Sequence, residues 1–222
     1  MRPAAGLISF VGAGPGAADL VTLRGVRRLA VAAPMACGYQ GLTLPAQSAI
    51  TLQGQGTLTE PRPDSNALTF NPALAPAGAR LAVDMIPSGT STNVELTVDG
   101  LQPNRGYAVH AHTNTCGENP DFVGPHYQNR IDPAATQQQP STDPEYANPN
   151  NEVWLDVRTD AAGSGIRRVT VPFVFTDRGP GSIVVHEAEQ TATGPGEAGK
   201  SGDPVACLTL TASRPQDDTL LD

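Results

Sequence analysis

The feature that most constrains the fold is a succession of eight short segments after residue 66, each alternating in polarity or running briefly apolar. Gly, Pro, Asn or Asp residues bound them, a pattern typical of β-strands joined by turns. The segments are "ALTFNPAL", "ARLAVDMIPS", "TNVELTVDGL", "YAVHAHTN", "EVWLDVRTD", "GIRRVTVPFVF", "SIVVHEAEQ" and "VACLTLTAS". With 23 Gly and 21 Pro residues in the chain, they predict an all-β fold, a sandwich or flattened barrel of eight strands.

Two connections between these segments are long for such a fold. They cover residues 113 to 151 and residues 190 to 204. Long loops in a compact β domain usually carry function or are disordered.

The charge of the chain excludes some partners. The formal net charge is -8 and the isoelectric point is about 4.9, which argues against nucleic acid and against an anionic membrane surface. Lys200 is the single lysine and the other cations are arginines. An anionic substrate would therefore be attracted by few residues.

The composition divides the chain into four parts. Residues 1–37 are predicted to be an export or lipoprotein signal region, residues 38–66 a flexible linker rich in Gly, Gln, Pro, Ser and Thr, residues 67–213 the β domain, and residues 214–222 a tail.

The first part carries two resemblances. "RGVRR" followed by "LAVAAPMAC" resembles a bacterial lipoprotein signal with Cys37 as the lipidated residue, which implies an exported protein of the cell envelope, either anchored to a lipid or secreted. "ISFVGAGPGAADLVTLRGVRRLA" resembles the opening of the tetrapyrrole methyltransferases. One strand, turn and helix cannot bury enough surface for a site, so we assign no methyl transfer and consider a start near Val21.

All four histidines lie in segments that the fold could bring together. His110 and His112 share one face of a predicted strand, with Tyr107, Val109 and Ala111 on the other. This pair alone would favour an exposed or structural role over a metal site. With His126 and His186 added, four imidazoles match the ligands that copper(II) prefers.

The order of "HAH", "GPH", "VVHE" and "VAC" over residues 67 to 213 is similar to that of the copper/zinc superoxide dismutases, and the short gap after "HAH" resembles the bacterial branch. The resemblance implies a Greek-key β-sandwich of eight strands. It implies that His110 and His112 are the first two copper ligands, that His126 is the bridging histidine and that His186 is the last copper ligand. It also implies a disulfide between Cys116 and Cys207.

The zinc half of the family's site is missing. No histidine lies between His126 and His186, so zinc would depend on carboxylates, for which the candidates are Asp132, Asp143, Glu145, Glu152 and Asp156. One imidazole with several carboxylates is a weak zinc site. We therefore expect copper without zinc, with His126 as an ordinary or labile copper ligand and not as a bridging one.

Two further positions differ from the family. Pro204 stands where the family has an arginine that guides superoxide. Lys200 is the candidate to supply that charge, and the alternative is a solvated loop lysine. Gln190 replaces an aspartate that links the two metal sites. Ligand histidines need hydrogen-bond partners. Glu152 and Glu187 are the candidates, and the alternative for each is a salt-bridged or solvated carboxylate.

These features predict an exported, copper-dependent superoxide dismutase that converts superoxide to dioxygen and hydrogen peroxide and obtains its metal from a copper donor. One alternative is a copper-binding domain for buffering or delivery, without fast turnover. Another is a structural module with vestigial ligands. Copper retained against a chelator would exclude the structural module, and rapid catalysis would exclude the buffer.

Overall fold

A computed structural model of the chain describes residues 48–213. The predicted signal region with Cys37, the first part of the predicted linker and the tail after residue 213 lie outside these residues. The described chain contains eleven strands and one short 3-10 helix, Pro120–Val123. The strands are β1 Thr51–Thr57, β2 Ala67–Thr69, β3 Arg80–Ser88, β4 Ser91–Asp99, β5 Gly106–Tyr107, β6 Val109–His112, β7 Val157–Arg158, β8 Gly165–Val171, β9 Ser182–His186, β10 Pro204–Thr209 and β11 Thr211–Ser213.

The strands form two main sheets and one short pair. The first sheet has the order β11-β1-β3-β4-β8, the second the order β2-β10-β9-β6, and β5 pairs with β7. Neighbouring strands are antiparallel throughout. Residues 48–213 include no helix with the length and apolar character needed to cross a membrane.

One hydrophobic core lies between the two main sheets. Alternate residues of β3 and β4, such as Leu81 and Leu96, are buried against residues of the second sheet, such as Ile183 and Val185. Two sheets that share one core form a β-sandwich. The predicted all-β class is confirmed, and the eight predicted segments overlap ten of the eleven strands in the described range.

The eleventh strand corrects the predicted linker. Residues 38–66 were expected to be flexible, but Thr51–Thr57 forms β1, which pairs with β3 and β11 and buries Leu52. A Cβ atom on Gly56 would lie 2.5 Å from the Cβ atom of Ala67. The glycines that resemble a linker composition are therefore needed where two strands pass closely.

The second sheet positions the candidate site, because one of its faces packs in the core and the other carries histidines. Val109 and Ala111 of β6 point into the shared core. His110 and His112 therefore point to the opposite face, where their strand partners are Val184 and Ser182. The long connection after β6 and the connection after β9 flank this outer face.

Candidate metal centre

The four histidines meet on the outer face of the second sheet. One ligand atom from each can be chosen so that all four lie within 4.8 Å of one another. His110 and His112 come from β6 and His186 ends β9, while His126 is brought in by an isolated bridge to His112. His126 is half-buried and the other three are buried. The convergence predicted from the sequence is confirmed.

Two of these rings are oriented by main-chain carbonyls. Nδ1 of His112 lies 2.8 Å from the carbonyl oxygen of Gly124, and Nδ1 of His186 lies 3.0 Å from that of Gly202. A carbonyl oxygen only accepts, so each Nδ1 carries the proton and donates it. The two Nε2 atoms then keep their lone pairs and lie 3.1 Å apart, ready to bind one cation.

Glu152 orients His126 in the same way. Its Oε2 accepts from Nδ1 of His126 at 2.9 Å, which leaves a lone pair on Nε2 of His126. The carboxylate is 1% exposed and also accepts from Trp154 Nε1 at 2.7 Å and from Gln128 Nε2 at 2.8 Å. Glu152 was predicted to support a ligand histidine, and the structure places it in that contact.

The remaining histidine is held by its other ring nitrogen. Nε2 of His110 lies 2.7 Å from the hydroxyl oxygen of Thr191. Its Nδ1 is buried and has no hydrogen-bond partner in the described structure. A buried polar atom left without a partner is costly, and a bound metal would satisfy it. The donor set therefore fits a metal ion.

Burial keeps three of the four histidines neutral. Loss of solvent lowers the pKa of His110 and of His112 well below the usual range, and the neighbouring histidines lower it further. Burial, followed by the proximity of His126, lowers the pKa of His186 to about 3. The neutral imidazole is the form that binds metals, so these three rings are ready to bind a metal at neutral pH.

A cavity of about 660 Å³ opens beside the cluster. His112, His126 and His186 line it, whereas His110 is fully buried. One water molecule occupies about 30 Å³ in the liquid. A diatomic anion would therefore have ample room to reach the three lining histidines.

Two cations line the cavity. Lys200, predicted from the sequence, is exposed, and its Nζ donates to Glu197 at 2.8 Å. Arg178, which sequence reasoning missed because it lies in no motif, donates to the carbonyl oxygens of Gln128 and Asn129 at 2.6 and 2.7 Å. Its guanidinium stacks on Tyr127 and makes no salt bridge with any described carboxylate. Arg178 is therefore a fixed positive charge at this wall.

Of the other predicted site residues, the two cysteines form the expected contact and Glu187 does not. The disulfide between Cys116 and Cys207 is confirmed, and it ties the loop after β6 to β10. Glu187 is exposed, its side chain packs against Gly202, and no hydrogen bond joins it to a histidine of the described chain. Glu187 therefore does not fill the supporting role predicted for it.

Comparison with family models gives no match to this chain, and no curated protein matches it. The functional assignment therefore rests on the chemistry and geometry of the four histidines.

Proposed function

We propose that this protein is a copper-dependent superoxide dismutase with a Greek-key β-sandwich, as its resemblance to that family implies. The observation that carries the proposal is a set of four imidazoles whose outer hydrogen bonds leave a lone pair on one nitrogen of each, within 4.8 Å of one another. Three of the rings line an open cavity.

The donor set favours copper over zinc. Four nitrogen donors suit copper(II), which also has the highest affinity among the divalent first-row metals. In the family the bridging histidine uses both ring nitrogens. Here Nδ1 of His126 donates to Glu152, so the atom that would hold a second metal is engaged. This supports a site for one copper ion without zinc.

The protein's own residues would divide the work of the reaction. Bound copper supplies a one-electron couple, so that two superoxide ions and two protons become dioxygen and hydrogen peroxide. Arg178 and Lys200 attract the anion into the cavity. Glu152 holds a proton at Nδ1 of His126 and fixes that ring. The cavity is wide enough for water to deliver the protons that the reaction takes up.

The disulfide, together with the resemblance of residues 1–37 to a signal region, supports an oxidising compartment outside the cytoplasm. A disulfide in a protein of this size is typical of an oxidising compartment, and Cys116–Cys207 is such a bond. We propose an exported protein of the cell envelope, loaded by a copper donor. Attachment through Cys37 belongs to the same proposal.

The test is the rate of superoxide consumption by the purified full chain, expressed per bound copper. His112→Ala removes one ligand, and Glu187→Gln is the matched control at an exposed position. We expect a fast rate in the wild type and the control and loss of stoichiometric copper in His112→Ala. Full copper binding by His112→Ala would show that the assigned site is wrong.

A second function is favoured by two observations near the cavity. Pro204 replaces the guiding arginine of the family, and Lys200 is paired with Glu197. A weak attraction for anions fits a copper-binding protein used for buffering or delivery. Tight copper binding with a slow superoxide rate would identify this function instead.

A further inference from the structure

We infer that residues 131–142 and Arg178 form a binding site for a small organic anion with an apolar body, such as an aromatic carboxylate. In the described structure none of these residues shares a hydrogen bond with a histidine. Binding at this site does not depend on copper. Its effect on the reaction with superoxide rests on the proposed function.

The cavity is larger than the proposed reaction needs. Its volume is about 660 Å³, which lies within the range of about 300–1,000 Å³ that is typical of sites for small organic molecules. A diatomic anion would fill a small fraction of this space, since one water molecule occupies about 30 Å³ in the liquid. The remaining volume would accommodate an apolar ring.

Three apolar residues from one segment line this cavity, namely Ile131, Ala135 and Pro140. Ile131 is 64% exposed, although large apolar side chains are usually buried. An apolar group that covers Ile131 would remove its surface from water, which favours binding.

The segment that carries these residues is held by hydrogen bonds of its own. Oδ2 of Asp132 accepts from the hydroxyl group of Ser141 at 2.6 Å, and Oδ1 accepts from the main-chain N–H of Ala134 at 2.8 Å. The carbonyl oxygen of Thr142 accepts from the N–H of Gly196 at 3.2 Å. Because this wall is already formed, a ligand loses little affinity to the ordering of the protein.

Arg178 supplies the donors for the anionic group. Its Nη2 donates to the carbonyl oxygens of Gln128 and Asn129, whereas its Nη1 and Nε donate to no group of residues 48–213. Glu152 and Asp203 also line the cavity, but neither forms an ion pair with Arg178. A carboxylate would accept charge-assisted hydrogen bonds from the free donors of this guanidinium.

The direct test is titration of the metal-free full chain with sodium benzoate, followed by ¹H–¹⁵N correlation NMR. We expect saturable shifts of the amide signals of residues 131–142 and of the side-chain signal of Arg178. Benzamide, which lacks the charge, and acetate, which lacks the ring, should bind more weakly. Benzoate that shifts none of these signals, or that binds no more tightly than both analogues, would overturn the inference.

Variants separate the two parts of the site. Ile131→Ala shortens an exposed side chain and should weaken benzoate binding several-fold. Ile166→Ala on β8 is the matched control, because Ile166 is 56% exposed and lies outside this cavity. Arg178→Gln should weaken binding about tenfold or more. Equal benzoate affinity in Ile131→Ala and Ile166→Ala would contradict the apolar contact.

The copper-loaded full chain tests the effect on superoxide. Benzoate should compete with the anion for Arg178, and it should therefore lower the superoxide rate more in Ile166→Ala than in Ile131→Ala. Equal inhibition of these two variants would show that benzoate acts on the copper, which would contradict competition at this site. A chain that binds benzoate but consumes no superoxide would refute the proposed function and leave the binding site in place.

Discussion

Each of the four histidines has one ring nitrogen bonded to a group outside the cluster. These partners are two carbonyl oxygens, one carboxylate and one hydroxyl. Because each partner engages one nitrogen, it selects the nitrogen that faces the other rings. The identity of the ligands could be predicted from the sequence, but the choice of atom depends on contacts that no local pattern shows.

Glu152 accepts more hydrogen bonds than the other partners, because three donors point at its buried carboxylate. Glu152→Gln places an amide N–H₂ group against those donors and leaves buried groups unsatisfied. We expect a loss of about 1–3 kcal/mol in the free energy of unfolding and about 10- to 100-fold weaker copper binding. Urea unfolding and chelator competition measure the two effects.

The control for this change is Glu145→Gln, at an exposed carboxylate paired with Arg130. Exposed ion pairs contribute between about 0 and 1 kcal/mol, so this variant should resemble the wild type. If the two variants had equal stability and equal copper affinity, Glu152 would not support the metal site.

Arg178 is predicted to attract the superoxide anion into the cavity. Arg178→Gln removes a charge at the cavity wall that no described carboxylate pairs with. We expect a superoxide rate several-fold lower at low salt and a weaker dependence on ionic strength, because screening acts on the charge that attracts the anion. Stopped-flow rates over a salt series measure this.

Arg167→Gln on β8 of the other sheet is the matched control for Arg178→Gln, because it removes the same charge away from the cavity. A rate and a salt dependence in Arg178→Gln that match those of the control would show that the attraction comes from elsewhere. Lys200→Gln would then be the next variant to measure.

At the scale of elements, alternation of polarity was the reliable signal. It located ten strands and placed His110 and His112 on one face of β6. It missed β1, because "TLQGQGT" contains two glycines and only one buried apolar side chain. It also missed the contact of Thr191 with His110, because the two residues lie 81 residues apart and have no spacing that marks them.

The glycines of β1 provide a test of close packing between strands. Gly56→Val would drive a branched side chain against Ala67, and overpacking of this kind typically costs about 1–3 kcal/mol. Gln55→Val, at the neighbouring exposed position, should be neutral. Thermal unfolding of both variants measures the difference, and a Gly56→Val variant as stable as Gln55→Val would show that β1 does not pack as described.

At the scale of the whole molecule, the second sheet has two roles. One face completes the core of the sandwich, and the other carries four ionisable rings. The rings of His110, His112 and His186 are buried deeply enough that the folded state favours their neutral form. Stability and site chemistry are therefore coupled through the same residues.

This coupling predicts how the stability of the metal-free protein changes with pH. The pKa of His110, His112 and His186 is lower in the folded state than the ordinary value of 6.5. Below pH 6.5 the unfolded chain binds more protons than the folded chain. The free energy of unfolding therefore falls as the pH decreases from 6.5 towards about 3, the folded pKa of His186.

The size of the effect is up to about 1.4 kcal/mol for each pH unit and each histidine that stays neutral in the fold. Urea unfolding of the metal-free protein between pH 7.5 and 4.5 measures it. Copper binds the same nitrogens, so the copper-loaded protein should lose less stability over the upper part of this range. A metal-free protein with constant stability from pH 6.5 to 5 would contradict the burial of these rings.

The unequal burial of the four rings sets the order in which they would bind an entering metal ion. An ion that enters through the cavity meets His112, His126 and His186 before it reaches His110, which is sealed behind them. Trp154, the only tryptophan in the chain, lies edge-on to His110 with 5.6 Å between the ring centroids. Uptake should therefore occur in two kinetic phases, and quenching of tryptophan fluorescence should report both of them, because Trp154 also donates to Glu152, the partner of His126.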